Sequence, residues 1–157
     1  MPAELTTILE TVRDQVQALD LPGIPRSNVV ICHSAAVEIA RLPAQRLPAV
    51  VIAPFGAETI TAASNLRDDI EYPVVVAIVA SLKIDAEQPT DKQTLYLDQR
   101  LTWRETIRKA FSNQRLDTTR GYTMTVVPMT IVDAAAFARD LFVSGFTLRI
   151  VNREGRA

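Results

Sequence analysis

The run Leu66-Arg-Asp-Asp-Ile-Glu-Tyr-Pro-Val-Val-Val-Ala-Ile-Val-Ala-Ser-Leu82 decides how this chain folds. From Tyr72 to Leu82 it is rich in β-branched residues and nearly free of polar side chains, the pattern of a strand buried on both faces. From Leu66 to Tyr72 the apolar residues Leu66, Ile70 and Tyr72 fall on even positions, while Arg67, Asp69 and Glu71 fill the odd ones. That alternation predicts a strand with one wet face. Together the two halves predict one long strand whose first part projects with a solvated face and whose second part crosses the core. Val75, Val76 and Ile78 are expected to be buried there.

Just upstream, Thr59 to Ala63 is β-prone and Ser64-Asn65 is a plausible turn, which predicts a hairpin with its tip near Ser64. Further back, Ala49 to Ala53 and Asn28 to Cys32 are apolar strand candidates, and Pro43 and Pro48 bracket an irregular segment. Ser34 to Arg41 fits either a helical turn or a loop. At the start, Leu5, Ile8, Leu9, Val12, Val16 and Leu19 recur at spacings of three and four, so one face of an amphipathic helix meets a core. Asp20-Leu-Pro-Gly23 should end it, because Pro22 cannot continue a helix and Gly23 accepts positive φ.

Downstream, Lys83 to Thr94 is polar and contains proline, and reads as a loop. A helix is expected from about Leu95 to Phe111. Its apolar side would hold Leu97, Leu101, Ile107 and Phe111, flanked by Trp103 and Ala110, with Arg100, Arg104, Arg108 and Lys109 on the rest. Gly121 to Val127 alternates as a half-buried strand, and Pro128 marks its end or an edge position. Asp133 to Asp140 reads as a short helix capped by Asp133. Leu141 to Arg153 closes the chain as a strand with Phe146, Leu148 and Ile150 on one face, and Gly145 marks a bulge or a close backbone approach. Residues 153–157 read as a fraying tail. The order α-β-β-β-β-α-β-β is that of a single α+β domain over residues 1–157. Its sheet should be mostly antiparallel, with a long projecting hairpin, and packed against two main helices.

Apolar residues make up 48% of the chain and charged residues 22%, which is a globular composition. A net charge of -1 argues against a strongly basic nucleic-acid binder, and no specific nucleic-acid binding is expected. The longest apolar run falls short of the roughly 20 residues that a membrane helix needs. The N-terminus lacks the pattern of a signal peptide. Cys32 is the only cysteine, so no internal disulfide can form. A cytoplasmic setting follows as the expectation.

The search for chemistry yields little. None of the five glycines falls in a phosphate-loop spacing, and His33 is the only histidine. Cys32 and His33 are adjacent, but neighbours on a strand point to opposite faces, which predicts Cys32 in the core and His33 at a loop edge. Asp68, Asp69 and Glu71 form an acidic cluster. It reads first as a solvated strand face, next as an interface, and last as a metal or catalytic site. Arg100, Arg104 and Arg108 stand at i, i+4 and i+8 as a basic ridge, read first as a solvated helix face. Asp98 and Glu105 dilute it as a nucleic-acid contact. Trp103 beside it is either a core-edge residue or a partner's anchor point. No catalytic residue, metal or cofactor is expected.

The order of elements resembles the phage tail terminator and tail completion proteins, also called minor tail or head-tail joining proteins. The matching stretches are the first helix ending in Leu21-Pro-Gly-Ile24, Leu47-Pro-Ala-Val-Val51, and Arg67-Asp-Asp-Ile-Glu-Tyr72. Trp103-Arg104-Glu105, Tyr122 to Met129 and Ser144-Gly-Phe-Thr-Leu-Arg149 also fit. The resemblance covers nearly the whole chain and rests on order and pattern, while Gly56 to Thr61 and Lys83 to Thr94 depart from it. It implies a structural, non-enzymatic protein of a phage, a prophage or a tail-derived particle. Such proteins form a homo-oligomeric ring, commonly a hexamer, that caps the tail tube and contacts tail tube and neck proteins. The expected ring contact joins the wet hairpin face (Arg67, Asp69, Glu71) to the ridge of Arg100, Arg104 and Arg108, with opposite charges setting register. The rival readings are a small ligand-binding or regulatory module and, behind it, an enzyme using the acidic cluster near Asp69.

Overall fold

The computed structural model describes residues 3–82, 90–112, 116, 122–128, 136 and 140–155. Its first element, α1 (Glu4–Ala18), buries Ile8, Leu9, Val12 and Val16, the stripe that the three-and-four spacing predicts. Asp20 (φ 46°) and Gly23 (φ 84°) then turn the chain through left-handed conformations. A β-carbon on Gly23 would also sit 3.4 Å from the Trp103 ring. β1 (Val29–Ile31) follows, then α2 (Ala35–Arg41), β2 (Ala49–Pro54), β3 (Thr59–Ser64) and the long strand β4 (Arg67–Ser81). The chain continues through α3 (Thr90–Phe111), β5 (Thr123–Pro128) and β6 (Leu141–Gly155).

The fold is α+β, as the order of elements predicts. The six strands form a sheet ordered β1-β2-β4-β6-β5, with β3 paired to β4 beside the end of β2. Among the described residues only the β1–β2 pair is parallel; the other pairings are antiparallel. β4 is central. Its second half pairs with β2 from Val79 to Val74, its first half pairs with β3, and β6 runs along its whole length.

Because side chains alternate across a strand, the sheet carries two cores. Even-numbered Tyr72, Val74, Val76 and Ile78 pack with α1, Ile107 and Phe111 of α3, and Phe146, Leu148 and Ile150 of β6. Odd-numbered Ala77 and Val79 pack with Val51 and with Ile39 of α2. Val75, Val76 and Ile78 are all buried, as expected. At Gly145 a β-carbon would lie 3.0 Å from the Val76 carbonyl, so the predicted close approach of backbones is real.

Of the two alternatives for Ser34 to Arg41, the helical one holds, since Ile39 gives it an apolar anchor on the second core. Three expectations need correction. Thr90 to Thr94 belong to α3, while 83–89 lie outside the described residues. Residues 153–155 do not fray, because Arg153, Glu154 and Gly155 pair with Asp69, Asp68 and Arg67. The α3 helix is also rotated relative to the predicted face: Arg100, Trp103, Arg104, Ile107 and Phe111 are buried, and Leu97 is 46% exposed. Most of Asp133 to Asp140 lies outside the described residues. Among the described residues no helix is long and apolar enough to cross a membrane.

Candidate assembly interface

Beyond Pro54, the last β2 residue to pair with it, β4 continues as an arm of three strands. From Arg67 to Glu71 it is flanked by β3 on one side and by the end of β6 on the other. Every residue of β3 is exposed, so this ladder is held by backbone pairing rather than by burial. The register shifts between Ala62 and Ser64, just before the turn at Asn65 and Leu66. Leu66 at the tip is 75% exposed and Ile60 is 61% exposed. Leu66 therefore joins the turn, whereas its even position predicted a place on the strand's apolar face.

The odd face of the arm is charged, and its two acids are matched within the chain. Asp69 stands opposite Arg153 in the ladder and accepts two hydrogen bonds from its guanidinium, at 2.7 and 3.0 Å. This fork-to-fork contact holds the Asp69 carboxyl below the usual carboxylate range and raises the Arg153 guanidinium in return. Glu71 accepts from Arg149 at 2.9 Å. The predicted acidic face is thus a pair of cross-strand salt bridges, which matches neither a bare acidic cluster nor a metal site. Sequence reading missed Arg149 and Arg153 as partners. Their spacing on the closing strand was the available signal, but only the β4–β6 register says which acid each one meets.

The even face turns apolar toward the core. Ile70 packs against the first core and Tyr72 is buried at the arm's base. Burial, with the charges of Glu154, Glu58 and Glu4 behind it, pushes the Tyr72 phenol up to about 12. Asn152 donates to Glu154 at 3.1 Å and to Glu4 at 3.3 Å, which ties the arm's base to the start of α1.

The basic ridge does not survive as a surface feature. Arg100 is only 7% exposed and Arg104 only 8%, while Arg108 is exposed. The Arg104 guanidinium donates to the Ser144 hydroxyl at 3.1 Å and to the Gly145 carbonyl, and lies over the Phe146 ring. Burial and neighbouring Arg108 bring its pKa down. Arg100 stacks between the Tyr96 and Trp103 rings. Trp103 itself is buried, and its indole N–H donates to the Pro22 carbonyl at 2.7 Å. Long arginine stems can cover apolar surface, which is why spacing alone misplaced them. The solvated-ridge reading is corrected for Arg100 and Arg104, and neither is displayed to meet a partner's hairpin.

At the base of the arm, on the α1 side, a cleft of about 550 Å³ opens between α1 and the segment joining β1 to α2. Leu9, Ile31 and Pro54 are its apolar lining, and Glu10 and Glu38 line it as well. Cys32 and His33 both line it, because β1 stops at Ile31 and the strict alternation of a strand ends there. His33 is exposed as expected, and Cys32 is half-buried against the second core. The Cys32 thiol is pushed up by burial and by Glu38, so it stays protonated and weakly nucleophilic near neutral pH. Among the described residues no group of His, Cys, Asp and Glu is placed to hold a metal ion.

Compared with known proteins, the chain matches no family model and no curated protein.

Proposed function

We propose that this chain is a structural assembly protein of the tail terminator type. In that reading it forms a homo-oligomeric ring that caps a tail tube and joins it to the neck. The observation that carries the proposal is the arm. A three-stranded ladder extends beyond the core, offers fully exposed β3, and ends on an exposed leucine. Such a projection leaves a strand edge and apolar side chains open to a partner, and a ring needs a surface on each subunit that reaches a different surface on the next. Asp69 and Glu71 on the odd face of the arm are matched within the chain, so they stiffen the arm instead of waiting for a ligand.

Native mass spectrometry and light scattering across a concentration series test the reading. A single closed species of defined stoichiometry is expected. A protein that stays monomeric at every accessible concentration overturns it. The cleft favours a second reading, a small ligand-binding module, and a monomer that binds small molecules there would support that alternative.

A further inference from the structure

We propose that the arm tip of one copy, Leu66 and Arg67, seats in the cleft between α1 and α2 of the next copy. This rests on the ring reading and specifies its contact.

The tip and the cleft are complementary in kind. Leu66 is the most exposed of the large apolar residues described, and it stands next to Arg67. Arg67 makes no ion pair among the described residues, although Asp69 and Glu71 farther down the arm are both matched. The cleft has the converse composition. Its wall of Leu9, Ile31 and Pro54 would take an apolar side chain, and Glu10 and Glu38 would take a cation. Neither glutamate makes an ion pair among the described residues. Among the described residues, then, an arginine without an ion pair lies at the tip and two such glutamates line the cleft, while Asp69 and Glu71 between them are matched. A volume of about 550 Å³ is ample for two side chains.

The occupant must come from another copy. Pro54 of the cleft pairs with Val74, at the arm's base. The run from Arg67 to Pro73 carries the tip about 23 Å beyond that point, at roughly 3.3 Å per residue. β6 pairs along this whole run as far as Gly155, so the arm cannot fold back on its own cleft. A tip-to-cleft contact joins two different surfaces. It therefore propagates from copy to copy and closes as a ring if the rotation allows.

The native Cys32 supplies a direct test, since it lines the cleft and is the only cysteine. In the Leu66→Cys variant, a short thiol-reactive bis-methanethiosulfonate should produce a ladder of covalent oligomers, each thiolate displacing a sulfinate to form a disulfide to the linker. Mildly alkaline buffer is needed, because burial and Glu38 hold the Cys32 thiol up. The ladder should vanish in Leu66→Cys with Cys32→Ser, and be absent when the added cysteine replaces exposed Thr102 instead. In parallel, Arg67→Glu should raise the dissociation constant at least about tenfold, and adding Glu10→Arg and Glu38→Arg should recover most of that loss. A ring that forms normally without the Leu66→Cys ladder, and that ignores Arg67→Glu, overturns this contact and leaves the ring reading standing. An unmodified chain that is monomeric throughout overturns both.

Discussion

The two halves of β4 are one continuous strand under opposite regimes. From Val74 to Ala80 every side chain is buried, and the strand is covered on both faces. From Arg67 to Glu71 no side chain is fully buried, and ladder hydrogen bonds and two cross-strand salt bridges hold the geometry. The buried half is stabilised by apolar area removed from water, at about 25 cal/mol per Å². The wet half is stabilised by register. The lesson is that a strand can run on beyond its core, provided its neighbours leave with it. Here β3 and β6 do.

That contrast sets the order of expected effects. Val76→Asp should be the most damaging. It places an unpaired charge in the first core at a cost of several kcal/mol, against a typical total of roughly 5–15. Soluble expression should be lost, and a variant that melts like its parent would break the distinction between the halves. Arg104→Leu comes next. It leaves the Ser144 hydroxyl and the Gly145 carbonyl without their buried donor, costing about 1–3 kcal/mol by chemical denaturation. Unchanged stability would mean that Arg104 covers surface without bonding to it.

In the arm, the double variant Asp69→Lys with Glu71→Lys should leave the fold intact and move the melting temperature by only a few degrees, because both pairs are solvent-screened. The arm's amides should nonetheless exchange faster with solvent. Equal exchange in variant and parent would show that β-pairing alone holds the ladder. The smallest effect concerns Tyr72, where the halves meet. Its folded pKa of about 12 lies above the ordinary value near 10. Stability from the neutral phenol is therefore fully present below pH ~10 and is lost as pH rises from about 10 to about 12. The difference in tyrosinate absorbance between the parent and Tyr72→Phe should show that late titration. A midpoint near pH 10 would place Tyr72 with the wet half.

The long strand, its hairpin and the amphipathic first helix were legible in the residues, because period and β-branching are local properties. The stretch from Leu66 to Leu82 by itself determined that one strand would be wet and then dry. It also determined that Val76 and Ile78 would be core and that Asp69 and Glu71 would share a face. Other features depended on which element lands beside which. Asp69 and Glu71 found Arg153 and Arg149 only through a register that joins residues some 80 positions apart. Arg100 and Arg104 left the surface because α3 turned them toward aromatic rings and toward the β6 backbone at Gly145. The cleft beside Cys32 exists because β1 stops early and α1 and α2 stand on either side. Periodicity reports which residues share a face, but not what that face will meet. Burial of a charge and closure of a cavity are settled by that meeting, and only the tertiary structure supplies it.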